Sequence, residues 1–374
     1  MTTAGTLDQT EAFARIRLLR SPNVGPVSYA QLLGRFGSAV AALEALPDLA
    51  GRGGKPYRIA GEERIANEIA QVRKAGARYL FHDSPEYAAL LTQCEGAPPI
   101  LTVRGHVSRA QAPCVAVVGA RNASSAAVKL ARDFSLGLAE AGFTVVSGLA
   151  RGIDGAAHNG ALAAGAGATV GVIASGIDVS YPSEHADLQE RIAGEGLLIA
   201  EQPPGTEPLA RHFPSRNRII AGLAAGTLVV EAAPKSGSLI TARLAGEYGR
   251  EVMAIPGSPL DSRSHGCNQL IRDGAILVQR PEDVVELLSG FDGVARSSFR
   301  EAAPARIAAE PLHDPALDEG PVEIVELLTT APIAVDELIR QSGGSTAAVQ
   351  LALLELEITG RLQRHAGGRV SLAA

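Results

Sequence analysis

Residues 115–124 read VAVVGARNAS, and this stretch determines the fold at the centre of the chain. An apolar run typical of a buried strand ends at Gly119 in a turn, as it does in nucleotide-binding chains. The third glycine of a dinucleotide fingerprint is absent, and Arg121 stands in the loop. The rest of the sequence must show what a glycine turn with a guanidinium in it binds.

Apolar strands and helical segments alternate around this stretch, from residue 111 to residue 290. Seven strand candidates lie at residues 114–119, 143–148, 168–174, 197–201, 227–232, 251–257 and 275–278. Apolar strands that alternate with helices form a parallel sheet with helices on both faces. The sequence therefore predicts an α/β core with a Rossmann-like, doubly wound, mostly parallel sheet.

Three further segments flank this core. Residues 1–110 are predicted to form a helical domain and connector, and the Val-Gly-Pro turn at 24–26 resembles a helix-hairpin-helix (SAM-like) unit. The backbone N–H groups of such a turn either bind a phosphate, or the turn only joins two helices that pack in a small domain. Residues 291–320 are rich in Ala and Pro and predict a flexible linker. Residues 321–374 predict three helices and a hairpin around Gly367–Gly368, the pattern of a winged helix.

The composition excludes several classes of protein. The 374-residue chain has a formal charge of −6, so an anion site must be a local cluster of basic residues. The three cysteines are scattered, which indicates neither a zinc site nor a disulfide framework and fits a reducing, cytoplasmic setting. Residues 1–17 lack the apolar core of a secretion signal, and no segment predicts a membrane span. We expect no metal and no cofactor.

Ligands of doubly wound sheets bind beyond the carboxyl ends of the strands, and the loops there are rich in glycine. Gly119, Gly148, Gly152 and Gly237 allow tight turns and a close approach of the backbone to a ligand. Helix N-caps are expected at Ser124, Asp154 and Ser238, and free N–H groups in the first turns after them favour an anion.

Basic side chains are concentrated in or beside the same loops. They are Arg121, Arg151, Arg211, Arg216, Arg218 and Lys235. Guanidinium groups match phosphate oxygens in a two-pronged geometry. Arg216 and Arg218 begin a helix, where the dipole disfavours cations, and Glu201 and Glu231 at strand ends offer internal partners. We expect one of the two arginines to be paired internally and the other to face the ligand.

Two further features allow a functional and a structural interpretation. Phe213 lies among the basic residues and either stacks on a base or anchors the core. Asp154 and His158 are four residues apart and share a helix face, as an acid–base pair or half a metal site would. The simpler interpretation is that Asp154 caps its helix and His158 supports the loop.

Six blocks of sequence together resemble one family. They are VAVVGAR, SGLARGIDGAAH, YPSEH, FPSRNRIIAGL, VVEAAPKSGSLITARLAGEYGREVMAIPG and GCNQLIRDGA, in this order over residues 115–275. They are similar to the DprA (Smf) family of DNA-processing proteins. The resemblance implies a competence protein, not an enzyme, that binds and protects single-stranded DNA in natural transformation. It also implies a homodimer through the Rossmann-like core and loading of the recombinase RecA onto DNA during recombination.

The resemblance also implies a set of DNA-binding residues. They are Gly119, Arg121, Ser147, Gly148, Arg151, Gly152, Arg211, Phe213, Arg216, Arg218, Lys235, Gly237 and Ser238. Asp154, His158, Asn217 and Glu231 are expected to support the pocket. Ala120 departs from the serine found in many members, which removes a hydroxyl contact.

Two other functions compete with this interpretation. The stretch 231–247 resembles the catalytic loop of lysine-decarboxylase-like nucleotide hydrolases, but after Gly237 it has no Glu before Glu247 to act as general acid or base. Alternatively, the winged helix does the work as an adaptor. Its third helix, STAAVQLALLELEITG, carries Glu355 and Glu357 and no Arg or Lys, which favours a protein partner over DNA, while Arg residues in the hairpin leave weak DNA contact open.

Overall fold

The computed structural model describes residues 7–51, 57–290, 324–365 and 367–373. The described chain divides into two compact units. The first contains residues 7–67 together with the described residues from 324 onward, and the second contains residues 68–290. The linker predicted at 291–320 lies outside the described residues.

The first unit begins with short helices, as the sequence predicts. They are α1 (Gln9–Leu19), α2 (Pro26–Phe36), α3 (Ala39–Gly51) and α4 (Glu62–Lys74), the last of which continues into the second unit. The Val-Gly-Pro turn joins α1 to α2, with Gly25 as the N-cap of α2 and Pro26 as its first residue, where the missing N–H of proline is not needed.

The second unit is built on one nine-stranded sheet. Its strands are β1 (Arg78–Phe81), β2 (Ile100–Gly105), β3 (Cys114–Val118), β4 (Thr144–Ser147), β5 (Thr169–Gly176), β6 (Leu197–Gln202), β7 (Gly226–Val229), β8 (Glu251–Ala254) and β9 (Ile276–Leu277). The strand order is β1-β2-β6-β5-β4-β3-β7-β8-β9, and β3 to β9 are parallel. This confirms the seven predicted strands and the doubly wound fold.

The sheet also contains two strands that we did not predict. β2 pairs antiparallel with β6, and β1 pairs antiparallel with β2. The sheet therefore takes in residues 78–105, which the sequence had assigned to the helical domain and its connector.

Helices cover both faces of this sheet. They are α5 (Ala89–Thr92), α6 (Ser125–Glu140), α7 (Ile153–Ala163), α8 (Ala186–Glu195), α9 (His212–Leu223), α10 (Gly237–Glu247), α11 (His265–Arg272) and α12 (Pro281–Leu288). Residues of α5, α9, α10 and α11 pack in one core cluster, and residues of α6, α7 and α12 pack in another. Because both faces are covered, β3, β4, β5 and β7 are buried along their whole length, which explains their continuous apolar runs.

The chain reverses its direction of sheet growth at β3. From β3 it adds β4, β5 and β6 on one side, and it then returns to place β7, β8 and β9 on the other side. The loops after β3 and β7 therefore lead to helices on opposite faces of the sheet, which opens a crevice at the carboxyl ends of these two strands. This crevice is where the fold positions a ligand.

The C-terminal part of the first unit is a winged helix. Its elements are β10 (Ile333–Ala334), α13 (Val335–Ser342), α14 (Thr346–Ile358), β11 (Leu362–His365) and β12 (Arg369–Leu372), in a sheet of order β10-β12-β11. The hairpin turns at Gly367 and Gly368, both at positive φ, as predicted. Among the described residues, the first of the three expected helices is reduced to a 3₁₀ turn at Val325–Leu327.

Helix α14 contributes to two cores. Val349, Leu353 and Leu356 pack inside the winged helix, whereas Leu354 and Ile358 pack among the apolar residues of α1, α2 and α3. Two hydrogen bonds accompany this packing: the Asn23 side-chain amide donates to the Ile358 carbonyl over 2.9 Å, and Gln31 donates to Gln350 over 2.9 Å. The partner of this helix within the structure is the chain's own N-terminal helical domain.

Candidate nucleic-acid interface

A cavity of about 530 Å³ opens at the crevice beside β3 and β7. Its walls come from the loops after β3, β4 and β7, from α9, and from the 3₁₀ turn Ser262–Ser264. Four basic side chains line it, at Arg121, Arg216, Lys235 and Arg263, against one carboxyl, that of Asp154. A cavity with this excess of positive charge suits an anionic ligand.

Arg121 and Phe213 form the wall that a ligand meets. The Cζ atom of Arg121 lies 4.7 Å from the ring centroid of Phe213, a cation–π distance. Arg121 is exposed and Phe213 is partly exposed. Phe213 is therefore not an ordinary core anchor, because its ring is partly open to solvent and lies beside a guanidinium.

The loop after β3 approaches its neighbours very closely. The Ala120 N–H donates to the Glu231 carbonyl over 2.7 Å, and a Cβ atom added at Gly119 would lie 2.6 Å from the side chain of Ile153. Ser124 caps α6 as predicted, since its hydroxyl accepts from the Ala127 N–H over 3.1 Å. The glycine thus holds Arg121 at a defined place on the rim.

Glu231 supports this loop in a way that the sequence did not predict. Its carboxylate accepts from the Ser124 N–H over 3.0 Å and from the Ser124 hydroxyl over 2.7 Å. Of the two carboxylates that could pair with the arginines of α9, Glu201 forms such a pair and Glu231 instead holds Ser124. As a buried carboxylate at the start of α6, it is stabilised by the N-terminal end of the helix dipole.

Arg216 and Arg218 both have internal partners, where we expected only one. Arg218 forms an ion pair with Glu201 and donates to the Gly96 carbonyl. Arg216 is 5% exposed and donates to the carbonyls of Gly148 and, over 2.6 Å, Val172. The two residues are two positions apart on α9 and so point in different directions, yet neither guanidinium is free to leave its partners for a ligand.

Asp154 supports the loop after β4 rather than capping α7. The N-cap of α7 is Gly152, and the Asp154 carboxylate accepts from the backbone N–H groups of Gly148 and Ala150 over 3.2 and 3.4 Å. Burial raises the pKa of Asp154, while the charge of Arg216 opposes this shift. In the same way Ser236, not Ser238, is the N-cap of α10.

His158 is a buried residue of α7 that contacts strand β5 rather than the loop after β4. Its Nδ1 atom lies 2.8 Å from the Thr169 hydroxyl, which in turn donates to the Val145 carbonyl over 3.0 Å. The hydroxyl proton is thus in use, so Nδ1 must carry the imidazole proton. Burial lowers the pKa of His158 to about 3, so the ring is neutral at physiological pH.

The structure brings together about half of the residues expected to bind DNA. The cavity is lined by Gly119, Arg121, Phe213, Arg216, Lys235, Gly237 and Ser238, with Asp154 and Asn217 from the supporting set. The Asn217 amide accepts from Arg216 over 3.1 Å and faces the Gly237 carbonyl at 3.4 Å. Asn217 thus connects α9 to the start of α10.

The remaining expected residues lie outside the cavity wall. Ser147 is buried and its hydroxyl donates to the Val117 carbonyl over 2.6 Å, so this side chain faces the sheet. Arg211 is exposed at the N-cap of α9. Arg151 forms a two-pronged ion pair with Glu184 over 2.6 and 2.8 Å. Gly148 and Gly152 have no side chain to offer a ligand; their backbone passes close to the Arg216 guanidinium and to the backbone of Arg121, respectively.

Sequence reasoning missed two residues of this region. Arg263 lines the cavity from a loop that the alternation places after β8, and Tyr181 lies edge-on to Phe213 with the ring centroids 5.9 Å apart. Both residues follow strands at the carboxyl edge of the sheet, and this position in the sequence could have indicated them as site residues. Among the described residues no group of three or more His, Cys, Asp or Glu side chains is arranged to hold a metal ion.

Fold and site together define a protein with a Rossmann-like core and a basic, aromatic-lined crevice, in a chain that also contains an N-terminal helical domain and a winged helix. Residues 78–289 match the family described as DNA recombination-mediator protein A, residues 9–70 match a DprA-like N-terminal HHH domain, and residues 308–368 match a DprA winged helix domain. The chain belongs to the DNA recombination-mediator protein A (DprA/Smf) family.

Relatives and solved structures agree with this assignment. Protein Smf of Synechocystis sp. is 33% identical, and the alignment covers 92% of this chain and 95% of that protein. The crystal structure of DNA processing protein A from Streptococcus pneumoniae superposes with a TM-score of 0.65 at 35% identity, covering 75% of this chain and 98% of that one.

A second solved structure concerns the binding of DNA. DNA processing protein A from Helicobacter pylori superposes with a TM-score of 0.52 at 27% identity and covers 57% of this chain and 95% of that one. That structure is described as giving insight into the single-stranded DNA binding mode of the Helicobacter protein.

Proposed function

We propose that this protein binds single-stranded DNA in the crevice beyond β3, β4 and β7. The observation that carries the proposal is the Arg121 guanidinium, 4.7 Å from the Phe213 ring centroid at the wall of a cavity lined by basic side chains. A cation beside an aromatic ring offers one group for a phosphate and one for a base. The single-stranded DNA binding described for the Helicobacter relative supports the same ligand.

The start of α10 supplies the second phosphate contact. Gly237 and Ser238 line the cavity, and a Cβ atom at Gly237 would have no neighbour within 4 Å, so this helix start is open to the crevice. Lys235 precedes it at φ 69°, a left-handed conformation that few non-glycine residues adopt. Backbone N–H groups, helix dipole and ammonium group all favour a phosphate here.

Arg121→Ala is expected to weaken binding to single-stranded oligonucleotides of every sequence alike. The side chain is exposed, so its loss removes one phosphate contact without disturbing the fold. The slope of log affinity against log salt should fall by roughly 0.7, the value for one neutralised phosphate on a single strand. Fluorescence anisotropy with labelled oligonucleotides across a salt series measures both quantities.

Arg191→Ala is the matched control. Arg191 is half-exposed on α8 and forms an exposed ion pair with Glu195, so it resembles Arg121 in charge and exposure but lies near the end of α8 that points away from the crevice. It should leave affinity and salt slope unchanged. Equal losses in the two variants, or no loss in Arg121→Ala, would place the anion site elsewhere.

A nucleotide-hydrolysing enzyme is the alternative. Glu247, the last residue of the stretch that resembles a catalytic loop, lies at the end of α10 and pairs with Arg243 over 2.8 Å. The carboxyl in the cavity wall, that of Asp154, is held by two backbone N–H groups. We therefore propose a binding protein without such activity. Release of free base from nucleoside monophosphates would overturn this.

We further propose that the protein forms a homodimer through the second unit. Leu260 is 96% exposed, and Leu277 is 47% exposed on the edge strand β9, so apolar surface is available for a second copy to cover. Sedimentation at micromolar concentration should show a dimer, and Leu277→Lys should shift it towards monomer. A wild-type protein that sediments only as a monomer would contradict the proposal.

Membership of the family supports a wider proposal: protection of incoming single strands in natural transformation and help in loading RecA onto them. RecA filament formation on protein-coated single strands should be faster with this protein than without it; an unchanged rate would count against the proposal. The three cysteines are buried and unbridged, which fits a reducing cytoplasm. Among the described helices, none is long and apolar enough to cross a membrane.

The winged helix is proposed to act through α14 as an intramolecular partner of α2 and α3, not as a reader of DNA. Leu354 and Ile358 are buried in that contact, and the helix carries no basic residue. A winged-helix fragment alone should show no affinity for duplex DNA; tight, salt-dependent binding would refute this role.

A further inference from the structure

Tyr181 extends the aromatic wall of the crevice beyond Phe213. It follows β5 and precedes the 3₁₀ turn Ser183–His185, next to the buried Pro182. Its ring centroid lies 5.9 Å from that of Phe213, and its side chain is 46% exposed. Phe213 also carries the Arg121 guanidinium, so the three groups are contiguous.

A second cation is held against the segment that contains Tyr181. The Arg151 guanidinium forms a two-pronged ion pair with the carboxylate of Glu184, which lies three residues after Tyr181. Both side chains of this ion pair are exposed, and exposed ion pairs are weak, so a phosphate can compete for this guanidinium. This part of the crevice thus carries two rings and two cations: Phe213 and Tyr181, Arg121 beside Phe213, and Arg151 held by Glu184.

The two rings face different directions. The angle between the planes of Tyr181 and Phe213 is 61°, an edge-to-face arrangement. Two bases stacked on these rings must therefore be turned relative to each other. Successive bases of a duplex are held parallel and paired, so only an unpaired, flexible strand can place one base on each ring.

We propose that Tyr181 is a second base-stacking residue, one that selects single strands over duplex, with Arg151 taking the phosphate beside it. This inference rests on the proposed binding of single-stranded DNA. It assigns to Tyr181 a role in specificity, and it gives Arg151 a ligand although Arg151 lies outside the cavity wall.

The test compares Tyr181→Leu with Tyr181→Phe. Leucine keeps an apolar side chain but has no ring face, whereas phenylalanine keeps the ring and loses only the hydroxyl. With a (dT)₂₀ oligonucleotide, Tyr181→Leu should lose about tenfold or more in affinity, within the range for one stacked base. Its salt slope should not change, because no phosphate contact is lost. Tyr181→Phe should bind within about twofold of the wild type.

The chain has no tryptophan, so Tyr181→Trp introduces a single reporter. Its fluorescence should be quenched by (dT)₂₀, which stacks on it, and much less by a duplex of the same length. Thermal unfolding of all three variants should match the wild type because the ring is half-exposed.

The possible failures are distinguishable. If the wild type does not bind (dT)₂₀ at all, the proposed function falls and this inference falls with it. If the wild type binds but Tyr181→Leu binds equally well and Tyr181→Trp shows no quenching, only the role of Tyr181 is overturned. A loss in Tyr181→Leu that is equal for (dT)₂₀ and duplex would refute the selection of single strands.

Discussion

Gly152→Ala is expected to destabilise the second unit by roughly 3 kcal/mol or more and to abolish single-strand binding. Gly152 has φ 73° and ψ −119°, outside the small left-handed region that other residues reach. A Cβ atom there would lie 2.3 Å from the Ala120 carbonyl oxygen and 2.6 Å from that of Arg121. Both are backbone atoms of the loop that carries Arg121, so the loop itself must move.

Gly165→Ala separates the two causes of this destabilisation, which are the backbone strain at positive φ and the clash of the new Cβ atom with a neighbouring loop. Gly165 has the same φ of 73°, but a Cβ atom there would have no neighbour within 4 Å. It should cost only the backbone strain, about 1 kcal/mol. Urea unfolding of both variants, with oligonucleotide binding on the folded fraction, measures the difference. Equal stabilities would show that the close approach of the two loops does not matter.

Arg216→Ala is expected to lower the free energy of unfolding by roughly 3–5 kcal/mol. The change removes the Arg216 donor from the carbonyls of Gly148 and Val172 and the positive charge near the buried Asp154. Burial lowers the pKa of Arg216 to about 10, so the guanidinium is still charged at neutral pH, and its removal lowers stability at that pH. Arg121→Ala, by contrast, should affect binding and leave stability unchanged.

The pH dependence of this effect has a definite sign. Without Arg216 the pKa of Asp154, already raised by burial, must rise further. A carboxyl with a raised pKa in the folded state favours folding when it is protonated. The deficit of Arg216→Ala relative to the wild type should therefore be largest at neutral pH and shrink as the pH falls. A second change, Asp154→Asn, should recover part of the loss at neutral pH, and a deficit that grows in acid would contradict this account.

The parallel strands were predictable from sequence because they are buried on both faces and so read as unbroken apolar runs. β1 and β2 were missed for a related reason. They are antiparallel additions at the edge of the sheet, separated by a segment of turns and the four-residue α5, with no helical period between them. Their place in the sheet depends on pairing with β6, about 95 residues later in the chain, which no local pattern encodes.

The loops of the site were also predictable, but not the use of each side chain in them. Sequence shows that arginines cluster beside glycine turns. It does not show which face of α9 meets the sheet, because α9 is buried on several sides and its apolar period is blurred. Whether Arg216 donates to two carbonyls or to a phosphate depends on how β5 packs against α9, and this tertiary contact cannot be read from a local sequence pattern. Asp and Ser are residue types that often cap helices, which is why Asp154 and Ser238 were predicted as N-caps, yet the N-caps of α7 and α10 lie two residues earlier.

The dual role of α14 has a consequence for the order of events during synthesis. Asn23 and its partner Ile358 are 335 residues apart in the chain. At about 5–20 residues per second, the ribosome needs roughly 15–70 seconds to produce the second partner after the first. Throughout this interval the apolar surface of the N-terminal helices that later covers Leu354 and Ile358 remains open to water. The nascent chain therefore offers a binding site for a chaperone that the finished protein does not have, and a ribosome stalled near residue 340 should retain such a chaperone.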